Sequence, residues 1–334
     1  MTRETSRHAP TFVARSPEDL LAVVPVVLGF APTDSVVMLT FGGARPFHAR
    51  VDLPHDPGDV AEVVGALVDP AVRHRVGRVV LVLYSGSDQP ARRVANALAR
   101  SLERSGIAVV DCLRTDGQRW FPLLGRHPGV PAHGVRYDVT GHRFAAEAVV
   151  EGFVTHASRD DLARSVAADP ARVAAVEAAL AGVDTSSGSW RDAALRMIRL
   201  VTTHTGLGTV ATDDELAQLV GDLRVDEVLE MAVELLERET ARDDVAFWTD
   251  VVRRTPAPAL AGPAVLLAFA AWLAGHGALA WCALDRVVEV DADNAWAGLL
   301  ARLLEQAVPP QVWGDLEPPG TDTDSHAHES PDVA

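Results

Sequence analysis

The spacing of hydrophobic positions changes character near the middle of the chain. In the first half they fall in short runs with β-rich composition, at residues 35–41, 47–53, 78–84, 107–113 and 118–122. Between them lie two stretches with helical spacing. One covers residues 59–68 through Val60, Val63, Val64 and Leu67, and the other residues 89–104 through Val94, Leu98 and Leu102. Pro90 stands where proline suits a first helical turn, and Ser105-Gly106 ends the second stretch. The run at 78–84 is almost wholly apolar, as a central strand covered on both faces requires. Gly42 to Pro46 and Asp116-Gly117 are placed as hairpin turns. The order ββαβαββ predicts a mixed sheet, parallel at its centre, with helices packed on it. Residues 124–142 form an irregular Gly/Pro/His segment, too polar for core, and residues 144–153 look helical.

The second half has helical periods only. Residues 192–202 are amphipathic, and Thr212-Asp213-Asp214-Glu215 has the spacing of a capping box, in which threonine and glutamate satisfy free N–H groups at a helix start. Beyond it Val228, Leu229, Ala232, Leu235 and Leu236 make one apolar stripe. Residues 255–284 contain no Asp, Glu or Arg, but prolines break the start and Gly275-His276-Gly277 the middle. The unbroken piece is shorter than the ~20 residues of a membrane span, so a buried helical hairpin is expected. The expected organisation is an α/β domain at 16–155, an all-α domain at 156–314 and a disordered acidic tail at 315–334.

Charge sharpens this division. The chain has 334 residues and a formal charge of −16. Residues 1–155 carry 17 Arg against 16 acids, residues 156–314 carry 13 Arg against 24 acids, and the tail adds six acids. Thirteen acids and three Arg fall within 213–250 alone. Such a balance speaks against nucleic-acid binding, which needs a positive surface. Every basic residue is arginine, so phosphate-loop lysines and Schiff-base lysines are excluded. Only Cys112 and Cys282 are present, which gives no disulfide framework. The polar N-terminus lacks the flanks of a signal peptide, and a cytoplasmic location is expected.

Few constellations carry chemistry. Gly206 to Ala211 matches a loose dinucleotide pattern but follows a helix and runs into acids, so it reads as a loop. Ser85-Gly-Ser-Asp88 sits where open α/β sheets bind ligands, at the end of a central strand, with Ser87 or Asp88 as helix N-cap. Asp52, Tyr84, Ser85, Asp111, Arg114, Arg119 and Trp120 all fall at or near strand ends and form the candidate ligand-binding set. His127, His133 and His142, with Asp138, would hold a metal only if three or four converged. No catalytic residue and no cofactor motif stands out.

Residues 20–37, from Leu20 through Pro25, Gly29-Phe30, Pro32 and Asp34 to Val37, followed by Ala49-Arg-Val-Asp-Leu-Pro54, resemble the largely actinobacterial "domain of unknown function 4192" family. The likeness continues through Val79 to Tyr84 and Asp111 to Trp120, and spans most of 16–310. It implies no enzyme class. Many relatives carry cysteines after the tryptophan-bearing strand, where this chain has Leu124, Gly129 and Val130. Residues 275–294 are similar to the second helix and turn of a tetratricopeptide repeat, without a second copy. Two functions are therefore expected. The first is a non-catalytic binding or regulatory protein whose acidic surface at 213–250 meets a basic partner. The other is an enzyme for a small-molecule or nucleotide-like ligand, using the strand-end set.

Overall fold

The computed structural model describes residues 13–42, 47–125, 127–151, 154–183 and 189–313. Most of the turn expected at 42–46, the end of the helix expected at 144–153, and the tail lie outside the described residues.

The first half is a six-stranded sheet ordered β2-β1-β3-β4-β5-β6. Its strands are β1 (Ser35–Phe41), β2 (His48–Asp52), β3 (Arg78–Tyr84), β4 (Ala108–Thr115), β5 (Arg119–Leu124) and β6 (Val135–Arg136). Only β3 and β4 pair in parallel, and every other pairing is antiparallel. Residues 79–83 of β3 are all buried. Val79, Leu81 and Leu83 share one core with α2 (Val60–Arg73) and α3 (Asp88–Arg104), through Leu67, Ala71, Val94, Leu98 and Leu102. Val80 and Val82 share the other with α1 (Pro17–Leu28) and α4 (Arg143–Val150), through Leu21, Val24 and Phe144. The sheet is thus the middle of three layers, which is why residues 79–83 of β3 are all apolar.

One register feature departs from simple alternation. Val79 pairs with Val109 and Val80 with Asp111, so Val110 is an extra residue on β4. It is 59% exposed. A bulge of this kind reverses the facing of all that follows, and it turns Asp111 to the α1 side of the sheet.

Residues 124–142 contribute more to the core than their polarity suggests. β6 closes the sheet, and Val130, Val135, Tyr137 and Val139 pack against the α1-side core. Gly134 makes the close approach possible. Its φ is +73°, and a Cβ there would stand 2.6 Å from the Phe121 ring and 2.8 Å from the Trp120 carbonyl.

The second half is helical: α5 (Arg159–Ser165), α6 (Pro170–Leu180), α7 (Trp190–Leu207), α8 (Asp213–Asp222), α9 (Asp226–Glu234), α10 (Ala241–Arg254), α11 (Ala261–Leu273), α12 (Gly277–Val288) and α13 (Ala295–Glu305). Its core gathers on α11, of which residues 262–273 are all buried. Gly275, at φ +81°, turns the chain into α12, giving the expected hairpin. Among the described residues no helix is long and apolar enough to cross a membrane. Thr212 caps α8 with the expected capping box. Two expectations need correction. Gly206 and Leu207 form the last turn of α7, capped by Gly208 in the left-handed region, and are not a loop. Leu235 is 52% exposed while Val233 is buried, because α9 ends at Glu234 and the helical period stops with it.

The halves meet at named contacts. Phe30 bridges to His156 and joins the helical core, and the carbonyl of Gln306 accepts from Arg73 Nη1 at 3.2 Å.

The three-layer packing predicts a sharp contrast within the sheet. Leu81→Ala should lower unfolding free energy by about 2–5 kcal/mol. Val110→Ala, at the exposed bulge, should change it by less than ~0.5 kcal/mol. Urea denaturation followed by tryptophan fluorescence measures both.

Candidate functional site

Where the two faces of a buried sheet run out, side chains become polar, and here they do so in one row. Asp52, Ser35, Tyr84, Thr115 and Trp120 are successive register partners across β2, β1, β3, β4 and β5. Because β1 runs against β3, the residues leading into β1 reach the C-terminal ends of β3 and β4. Three chain segments, 32–34, 84–86 and 115–117, enclose a cleft of about 210 Å³ there.

Each wall is held by local bonds. Ser35 is buried; its hydroxyl donates to the Thr33 carbonyl and accepts from Arg50 Nε at 2.8 Å. Asp34 adopts φ 40°, a left-handed conformation that aspartate tolerates better than most residues. Its carbonyl accepts from Leu53 N at 2.8 Å, which ties the segment to the end of β2. Ser85 N donates to the Thr115 carbonyl at 2.8 Å, and the Ser85 hydroxyl donates to the Ser87 carbonyl at 3.1 Å. Thr115 Oγ1 accepts from Gly117 N at 3.0 Å and lies 2.8 Å from the Tyr137 hydroxyl. Asp116 Oδ1 accepts from the amides of Gln118 and Arg119 at 2.9 and 2.8 Å. Burial works against the charged form of Asp116, but those two amides and the field of Arg114 outweigh it and hold the carboxyl below its usual range. Tyr84 lines the cleft, and its hydroxyl is buried without a hydrogen-bond partner among the described residues. Burial, assisted by Tyr137, pushes its phenol well up, so it stays protonated.

The seven sequence candidates separate into groups. Tyr84 and Ser85 line the cleft. Arg114 is buried behind it: Nη1 donates to the Ser85 carbonyl at 2.9 Å, and the guanidinium lies 3.8 Å from the centre of the Phe121 ring. Its Nε stands 3.7 Å from Asp88. Asp52 stands in the row but is paired to Arg50 at 2.6 Å. Asp111, turned by the bulge, accepts from the Cys112 amide and meets His127 Nε2 at 3.0 Å. Trp120 is buried, with Nε1 donating to Glu18 at 2.9 Å. Arg119 holds the 127–137 loop through the carbonyls of His133 and Gly134. Ser87 is the backbone N-cap of α3, yet its side chain makes no capping bond, and Asp88 pairs with Arg92 instead.

Gly86 lies in the Ser85–Asp88 segment that the sequence singled out, whereas Thr33, Asp34, Thr115 and Gly117 were not among the candidates. Asp116-Gly117 carried a turn signal, whereas Asp34 reaches the site only through the long-range pairing of Ser35 with Tyr84.

The three loop histidines do not converge. His127 is on Asp111, His142 is on Asp19 at 3.0 Å, and His133 contributes its carbonyl to Arg119. Among the described residues no group of three His, Cys, Asp or Glu could hold a metal ion. Both cysteines are buried, and burial pushes the Cys112 thiol up to about 12. A larger hollow in the helical half, about 440 Å³, is lined mainly by Ala257, Pro258, Ala261 and Val290. Its one acid, Asp291, accepts from Asn294 at 2.9 Å.

The acids of 213–250 are partly consumed by the fold. Asp213 and Asp250 hold the buried Arg254. Asp222 accepts two bonds from Arg196, Glu215 caps α8, and Asp244 is buried on Thr240.

Asp19 gives a pH signature. The Arg15 amide, then His142 and the Ser16 amide, hold its carboxyl below the ordinary 3.8 against the cost of burial. A carboxylate with a depressed folded pKa stabilises above its unfolded value and loses that contribution as pH falls through the folded one. Asp19→Asn should therefore be less stable than the parent at pH 7, and the gap should close as pH drops below 3.8, measured by denaturation at a series of pH values.

The family model described as "Domain of unknown function (DUF4192)" matches residues 17–311. No curated protein matches the chain, and no solved structure does.

Proposed function

The chain belongs to the DUF4192 family, and from that premise, which supplies no activity, we propose that it binds a small polar ligand in the strand-end cleft. The observation that carries this reading is the cleft's place. It lies at the C-terminal ends of β3 and β4, the one parallel pair of the sheet, and beside the start of α3. Open α/β sheets present backbone groups and loop side chains to ligands at that position.

Binding is favoured over covalent chemistry because the Ser85 and Thr115 hydroxyls are already engaged. Ser85 bonds to the Ser87 backbone and Thr115 to Tyr137, so neither is paired with a base. The cleft is also favoured over the acidic surface at 213–250. Five of the thirteen acids there are bonded or buried inside the fold, and the other eight lie on exposed positions where solvated charge is ordinary.

Gly86 offers a clean test, since a Cβ there would meet nothing within 4 Å and its backbone is unstrained. A thermal-shift screen with small polar metabolites should give compounds that raise the melting temperature of the parent. Gly86→Leu should keep the parent's own melting temperature and lose those shifts. Compounds that stabilise both proteins equally, or a screen with none, contradict the reading.

A further inference from the structure

Residues 127–142 pack on the α1-side core through Val130, Val135, Tyr137 and Val139. Each end of this segment is tied by a histidine to an aspartate of another element. His127 Nε2 lies 3.0 Å from Asp111 of β4, and His142 Nε2 lies 3.0 Å from Asp19 of α1. We propose that the segment is a pH-sensitive strap, hinged at His142 and fastened at His127 by a clasp that loosens as the imidazole loses its charge.

The two ends differ in what holds the ring. The Phe144 amide donates to His142 Nδ1 at 3.3 Å, so the neutral ring carries its proton on Nε2 and donates it to Asp19. Protonation keeps that Nε2 donor, and the His142 end holds in either state. His127 Nδ1 makes no hydrogen bond among the described residues, so nothing fixes the proton of its neutral ring on Nε2. The other tautomer turns a lone pair towards the carboxylate.

The surroundings of His127 leave Asp111 in control. The bulge at Val110 brings Asp111 to this face, and its Oδ1 accepts the Cys112 amide at 2.8 Å as well as the imidazole. From β5 the Trp120 ring stands edge-on to His127, with centroids 5.7 Å apart, and Glu18 of α1 is held on Trp120 Nε1. Among the described residues Asp111 is thus the charged group in contact with the ring. Both partners are only 18% exposed, so water and salt screen the pair in part. A charge-assisted bond is about twice as strong as a neutral one, and histidine is the side chain that ordinarily changes charge between pH 5 and 8. The extra attraction exists while the ring is protonated and is lost as pH rises through its titration. The strap also reaches the cleft, since the Tyr137 hydroxyl lies 2.8 Å from Thr115 Oγ1 in the cleft lining. The clasp itself does not depend on the cleft taking a ligand.

Amide hydrogen exchange by NMR on the 334-residue chain, corrected for the intrinsic pH dependence of exchange, reads the clasp. The Val130 amide, which donates to the His127 carbonyl at 3.2 Å, reports the strap, and the amides of residues 80–83 report global stability at each pH. Between about pH 5.5 and 8, protection of Val130 relative to residues 80–83 should fall about fivefold, the scale of exchanging a charge-assisted bond for a neutral one. The midpoint should coincide with the titration of the His127 ring resonances. Asp111→Asn keeps an oxygen for the Cys112 amide but removes the charge, so the fall should vanish, whereas Asp19→Asn at the hinge should leave it in place. A ratio that does not change with pH overturns the proposal, as does a fall that persists in Asp111→Asn or follows another histidine. A fall that vanishes in Asp19→Asn overturns the division into hinge and clasp. The midpoint is read in the parent protein, so it decides the matter even where Asp111→Asn fails to fold.

Discussion

A strand with apolar side chains on both faces is stable only if both faces are covered, and β3 imposes that requirement on the first half of the chain. Its two sets of side chains call for two helical layers, α2 with α3 on one side and α1 with α4 on the other. Its backbone calls for two neighbours, met by β1 and β4. The requirement ends where the core ends, at Tyr84. There the register row of Ser35, Tyr84 and Thr115 exchanges apolar for polar atoms across three strands at once. The cleft is a product of that ending: the loops that leave the sheet on one level form its walls.

The helical half obeys the same constraint in one dimension. α11 has no polar face, so neighbouring helices have to wrap it. Part of the charge in this half joins one helix to another. Arg254 is the clearest case, a buried cation with Asp213, Asp250 and the Ala211 carbonyl around it. Removing one partner of such a group leaves charge stranded out of water, which is far costlier than losing an exposed pair. An acidic composition thus conceals two populations, acids that build the fold and acids that only face solvent.

Local patterns were legible in the sequence where a single segment decided the outcome. The β3 run, the proline-led start of α3, the capping box at Thr212 and the broken hairpin after Thr255 all appear as read. What escaped depends on contacts distant in sequence. The bulge at Val110 leaves no trace in alternation until β4 is set against β3, and it decides which way Asp111 points. The 127–137 loop is packed because Arg119 and the missing Cβ of Gly134 let it close on β5. Half of the cleft was visible as Tyr84 and Ser85. Asp34 was not, because nothing near it in sequence says that the start of β1 lies opposite the end of β3. Arg114 and Trp120 have the chemical character of ligand-binding residues, yet Arg114 Nη1 and Trp120 Nε1 are bonded within the protein.

β3 is the fixed frame from which the strand-end row and its cleft are set. Native-state hydrogen exchange on the 334-residue chain tests this. The amides of residues 80–83 should open only with global unfolding, while Gly86 and Gly117 exchange through small local openings. Residues 80–83 exchanging through local opening, as readily as those two glycines, would contradict the account.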